Sequence, residues 1–172
     1  MILNNSIRAG NFIYCFIYWS PHEESVYFND GDGHYHPNAY VVDGKGWATF
    51  KTADGTVYID EPTKEPGTFV DTSHSRGKYE IIKTTDSGIS LFHINPIPAD
   101  RKLDIEYLTG AQTREIVASD KRVTLVAVTG PIYVNDKKLE SLQHVKIFPG
   151  KTANLTLSEY SICAVVSEAN ED

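Results

Sequence analysis

Cysteine is nearly missing: Cys15 and Cys163 are the only two in 172 residues, and each sits in an apolar stretch. So sparse a pair is no disulfide framework and has no zinc-ligand spacing. Both are expected as small buried hydrophobes, with a disulfide between the terminal strands as the alternative. Basic residues are short as well. Sixteen Lys and Arg stand against 23 Asp and Glu, for a net charge of −7. A surface that acidic repels phosphate backbones and anionic lipid heads, which argues against nucleic-acid and membrane partners. No long hydrophobic run occurs either. The longest, Phe12 to Trp19, is far short of the roughly 20 residues a transmembrane helix needs. Only Arg8 precedes it as a charge and no small-residue cleavage site follows, so it is no signal-peptide core. Asn154-Leu155-Thr156 fits the glycosylation pattern, which carries no weight without a secretory signal. A soluble, cytoplasmic protein is expected. Three catalytic and nucleotide signatures are missing too: the G-x-S-x-G elbow, the P-loop and G-x-G-x-x-G before a helix.

What is present is a globular composition, 41% hydrophobic and 23% charged, which excludes wholesale disorder. Helical periodicity is almost absent. Short β-branched or aromatic runs recur instead, broken by Gly, Asp or Asn about every 8–12 residues. Asn11 to Trp19 is the first. Tyr40-Val41-Val42 leads through Asp43-Gly44-Lys45-Gly46 to Trp47–Phe50, which reads as a hairpin. Ala53-Asp54-Gly55 turns into Thr56–Ile59, and Asp86-Ser87-Gly88 separates Tyr79–Lys83 from Ile89–Ile94. Later runs are Arg122–Val128, Ile132–Val134, Val145–Phe148, Ala153–Leu157 and Tyr160–Val166, with turns at Thr129-Gly130-Pro131, Asn135-Asp136-Lys137-Lys138 and Pro149-Gly150. The polar end, Ser167 to Asp172, is expected to fray. The class is all-β, a sandwich or barrel.

Asn95-Pro96-Ile97-Pro98-Ala99-Asp100 is the best internal boundary, because its prolines hold it extended. It divides the chain into 1–96 and 97–172. Each half runs strand, Gly turn, strand, gap, Pro-Gly, strand, a pattern that suggests duplication.

The stretch from Gly33-His34-Tyr35-His36-Pro37-Asn38-Ala39-Tyr40 to Gly44-Lys45-Gly46 resembles the first motif of the cupins. That motif is a glycine-led H-x-H, a Glu three or four residues on, a hydrophobic strand and a Gly turn. Glu65-Pro66-Gly67, His74 and the strand from Tyr79 resemble the second, a Pro-x-Gly turn followed by His and later Asn. Leu125–Val134, Val145–Gly150 and Ala153–Val166 look like a cupin half without H-x-H. The resemblance spans most of residues 30–168 as a strand pattern. It implies a cupin-like antiparallel β-sandwich or barrel, built from two fused small halves. The first, 1–96, carries a His-containing pocket, and the second, 97–172, lacks metal ligands. Tyr40 stands where the family has its metal-binding Glu, and His74 follows Gly67 by seven residues rather than three.

In an extended strand His34, His36, Asn38 and Tyr40 share one face. Two imidazoles at i and i+2 can converge on one ion, and His74 from a neighbouring strand would make a three-His face with open positions. Such ligands suit Fe, Zn, Ni or Cu without choosing among them. Two other readings stay open: a metal-free pocket lined by the same residues, and solvated loop residues after Asn29-Asp30-Gly31-Asp32-Gly33. Asp30 and Asp32 resemble half a calcium loop whose remaining ligands are missing. His93 reads as a hydrogen-bonded strand residue, His22 as a solvated turn and His144 as structural.

Three functions follow. The first is a metal-dependent cupin enzyme, a dioxygenase or isomerase, acting on a small polar molecule. His34, His36 and His74 would hold the ion, Tyr40 would serve as donor or acid, and Trp47, Arg76, Lys78 and Tyr79 would line the substrate pocket. The second is a non-catalytic module that binds a small metabolite without metal, Arg76 or Lys78 answering an anionic group. The third is an assembly role. A homodimer is expected in each case.

Overall fold

The computed structural model describes residues 2–3, 6–28, 38–51, 57–62, 66–67, 69–71, 79–98 and 100–169. His34, His36, His74, Arg76 and Lys78 lie outside the described residues, as do Asp30, Asp32 and the Ala53-Asp54-Gly55 turn. Every described element is a β-strand, and all pairings are antiparallel, so the all-β expectation holds. The chain divides into two compact units, Met1–Ala99 and Asp100–Asp172.

The first unit is one eight-stranded sheet. Its strands are β1 (Ile2–Leu3), β2 (Ile7–Arg8), β3 (Phe12–Trp19), β4 (Glu24–Phe28), β5 (Asn38–Lys51), β6 (Val57–Pro62), β7 (Phe69–Asp71) and β8 (Tyr79–Pro96). They run in the order β1-β3-β8-β5-β6, with β2 beside β3, β4 beside β8 and β7 beside β5. Two expected turns are not reversals. Asp43-Gly44-Lys45-Gly46 lies inside β5, and Asp86-Ser87-Gly88 lies inside β8. The two stretches face each other, since Gly44 pairs with Ile89 and Gly46 with Thr84 across a register shift. Two long strands therefore bend together, and β8 changes partner at the bend, from β4 below it to β3 above. Glycine serves a bend as well as a turn. At Gly88 the reason is closeness: a Cβ there would lie 2.5 Å from the Trp19 carbonyl oxygen and 2.9 Å from the Tyr18 ring.

A buried hydroxyl fastens this bend. Thr84 Oγ1 donates to the Ser20 carbonyl and accepts the Glu23 N–H at 2.8 Å, so the turn between β3 and β4 is pinned to β8. His22 sits in that turn, exposed and with φ 56°, as a solvated turn residue should. Around β3 and β8 the fully buried side chains are Phe12, Tyr14, Trp19, Ile89, Leu91, Phe92 and His93.

The second unit has two four-stranded sheets. Strands β9 (Leu103–Thr109), β11 (Val123–Thr129), β14 (His144–Ile147) and β16 (Ile162–Glu168) form one, in the order β14-β11-β16-β9. Strands β10 (Gln112–Ala118), β12 (Ile132–Val134), β13 (Lys137–Leu139) and β15 (Lys151–Leu157) form the other, in the order β10-β15-β12-β13. Alternation does the sorting. In β15 Ala153, Leu155 and Leu157 go inward, while Thr152, Asn154 and Thr156 face solvent. The inward residues join Leu108, Ile116, Val123, Leu125, Ala127, Ile132, Val134 and Leu139 in one aliphatic core.

Strands β9 and β10 are additional to the expected set: β10 opens on the polar run Gln112–Glu115, whereas β9 alternates in Leu103-Asp104-Ile105-Glu106-Tyr107, a signal the sequence carried. One expected turn is shorter than the sequence suggested. Asn135 and Asp136, at φ 48° and 64°, make a two-residue hairpin turn, and Lys137 and Lys138 belong to β13.

Candidate functional site

Strand β5 begins at the site. Asn38 pairs with Asp71, the last residue of β7, and Tyr40 pairs with Phe69 on one side and Phe92 on the other. Because Phe92 pairs in turn with Phe16, a row of four aromatic residues crosses β3, β8, β5 and β7. The Tyr14 ring lies 5.8 Å from the Phe92 ring and 6.2 Å from that of Phe12, both tilted, which extends the aromatic wall along β3.

Tyr40 is buried at 4% exposure. Its hydroxyl reaches the Pro66-Gly67 turn, 3.8 Å from where a Gly67 Cβ would stand. Gly67 has φ 90°, a conformation that side chains strain to adopt. The strand carrying the first motif and the Pro-Gly turn of the second thus meet at one hydroxyl. Burial raises the Tyr40 pKa above its ordinary value of 10.0, which disfavours the phenolate further. Burial pushes Tyr14 up to about 12 in the same way.

The other proposed lining residues divide. Trp47 pairs with Lys83 and Pro62, and Tyr79 pairs with Lys51 and Phe28. Both stand beyond the bend at Gly44–Gly46, on the other half of the sheet from Tyr40. Among the described residues no three His, Cys, Asp or Glu groups gather as a metal cluster. His144, half-buried at the start of β14, has its pKa lowered by burial and then by Lys146, and it fits a structural part.

No protein-family model matches the sequence, and no curated protein does. Solved structures do match. HutD from Pseudomonas fluorescens SBW25 superposes with a TM-score of 0.56 at 13% identity, over 92% of this chain and 79% of that one. A cupin 2 conserved barrel domain protein from Leptotrichia buccalis gives 0.52 at 8% identity, over 98% and 88%. Salicylate 1,2-dioxygenase from Pseudaminobacter salicylatoxidans gives 0.53 at 10% identity, over 92% and 71%. The chain has the cupin fold. At these identities the likeness carries architecture and no chemistry.

The first unit also buries polar groups that sequence reasoning passed over. Cys15 on β3 directly opposes His93 on β8, and Asn95 follows two residues on. All three are buried; alternation relates His93 to Asn95 within β8, but only the register with β3 brings Cys15 to them. Burial pushes the Cys15 thiol up to about 11, against a hydrogen bond from Ser6 that lowers it. Cys15 and Cys163 are both free thiols, so the disulfide alternative falls. No helix among the described residues is long and apolar enough to cross a membrane.

Proposed function

We propose that the first unit binds a small polar molecule beside a divalent transition ion held by His34, His36 and His74. The supporting observation is the register Asn38↔Asp71. His36 precedes Asn38 by two residues and His74 follows Asp71 by three, so both segments leave the same end of the sheet. At about 3.5 Å of reach per residue, segments of two and three residues are long enough to let His36 and His74 share an ion. The donor set fits Fe, Zn, Ni or Cu: neutral imidazoles, with a tyrosine where a carboxylate ligand would otherwise stand. When bound, such an ion would polarise a substrate oxygen, which is the chemistry of a dioxygenase or isomerase. Tyr40, a neutral phenol, donates a hydrogen bond to the polar head of the ligand. The aromatic row beyond it excludes water, and Arg76 and Lys78, just past His74, answer an anionic group. Trp47 and Tyr79 border the pocket from the far side of the bend.

One observation favours a second reading, binding without turnover. Tyr40 replaces the family's anionic ligand with a neutral donor, which weakens the grip on a metal. Mass-spectrometric metal analysis of untagged protein, beside a His34→Ala/His36→Ala variant, decides between them. The first reading expects the variant to lose about one equivalent of iron, zinc, nickel or copper. Equal metal content in the two proteins, after anaerobic reconstitution, overturns it and leaves the metal-free pocket.

A further inference from the structure

Cys15 and His93 oppose each other in a stretch of ladder whose register is unbroken from Phe12↔Pro96 to Trp19↔Ile89. In such a ladder opposed residues share a face, and so do residues two apart on one strand. Asn95 is therefore on the same face, beside His93 and diagonal to Cys15. The three are 5%, 2% and 6% exposed. Their neighbours on that face, Ile13, Ile17 and Leu91, are apolar.

Asn95 Oδ1 is buried and has no hydrogen-bond partner among the described residues. An amide oxygen withdrawn from water without a donor is costly, and it is retained here next to a sulfur and an imidazole. Ser6, itself exposed, hydrogen-bonds the Cys15 thiol in the sense that favours thiolate, and it leaves the sulfur one side chain from solvent.

We propose that Cys15, His93 and Asn95 form a metal site of their own, taking a borderline-soft divalent ion of the zinc type. Opposed Cβ atoms in a ladder are about 4.5–5.5 Å apart and diagonal ones about 7–8 Å. Metal bonds of about 2.0–2.3 Å to nitrogen, oxygen and sulfur let these three arms meet at one ion. Binding is a proton-for-metal exchange: the thiol releases its proton to solvent as sulfur bonds the ion, and no electron moves. The sulfur excludes calcium and magnesium, which take oxygen ligands. The apolar surroundings keep the ion dry and its bonds strong. This site is independent of His34, His36 and His74.

Cobalt(II) titration of the reduced, metal-stripped full chain tests it, read by thiolate-to-cobalt charge-transfer absorption. The band is expected at one equivalent in the parent, in His34→Ala/His36→Ala/His74→Ala and in Cys163→Ser. It is expected to vanish in Cys15→Ser, and Asn95→Leu should weaken cobalt binding tenfold or more. No band in the parent, or a band that survives Cys15→Ser, overturns the site. Should Cys15→Ser fail to fold, X-ray absorption on the zinc-loaded parent replaces it: one sulfur scatterer supports the site, and a nitrogen and oxygen shell alone overturns it.

Discussion

The two units of this chain are made of the same antiparallel ladders, and both bury a few polar side chains, Thr84, His93 and Asn95 in the first and Thr124 and Ser161 in the second, but their cores differ. In the second, Leu108, Ile116, Val123, Leu125, Ile132, Leu155 and their neighbours form an aliphatic core whose one heteroatom is the sulfur of Cys163. In the first, Tyr14, Cys15, Trp19, Tyr40, His93 and Asn95 are all buried, and Trp19 Nε1 and Asn95 Oδ1 lack partners among the described residues. Burying polar groups works against folding unless each is satisfied. Aliphatic residues in these places would avoid that cost, and the second unit's core is built of them. The contrast is what the proposed division of labour rests on, with the candidate site in the first unit.

The contrast can be broken in several ways. The largest effect belongs to Leu155→Ala, which empties a fully buried site in the aliphatic core and should cost about 2–5 kcal/mol in a denaturant melt. A loss under about 1 kcal/mol would mean that this core is loosely packed. Gly88→Ala comes next. It drives a methyl group to 2.5 Å from a backbone oxygen and should cost about 1–3 kcal/mol by the same measurement.

Asn95→Leu runs the other way. In metal-stripped protein it removes an unpartnered acceptor, so stability should hold or rise by about 1 kcal/mol. A marked loss would show that the amide is structural.

The smallest effects are in pH. Tyr14 is raised from 10.0 to about 12, so the fold favours its protonated form. Its stabilisation is complete below pH 10.0 and is lost as pH climbs from there towards 12, a loss that Tyr14→Phe should remove. His144 is lowered, so its contribution is present above its unfolded pKa near 6.5 and is lost as pH falls from there through the lower folded value. His144→Gln should flatten that acid limb of the stability profile.

The class and many of the strands were legible, because alternation and β-branched runs are local signals. Length was not. Gly44, Gly46 and Gly88 read as turns, yet they lie in two strands that bend together, and what demands glycine at 88 is a Trp19 carbonyl far away in sequence. Strand β10 was hidden by its polar opening, Gln112 to Glu115, but β9 was legible in the alternation of Leu103, Ile105 and Tyr107 with Asp104 and Glu106.

Tyr40 stood out in the sequence because it interrupts a motif, but the meeting of its hydroxyl with the Pro66-Gly67 turn did not. The Cys15–His93–Asn95 row did not either, since it exists only in the register between β3 and β8, which no single segment encodes. His93 looked like an ordinary strand histidine for the same reason.

Titrating zinc into the metal-stripped full chain, with backbone amide shifts followed by NMR, tests the division of labour most directly. The largest shifts are predicted in Asn38–Tyr40, Phe69–Asp71 and the paired stretches Phe12–Trp19 and Ile89–Pro96, with Gln112–Ala118 and Lys151–Leu157 unmoved. Shifts centred on those second-unit strands, or none anywhere, would contradict it.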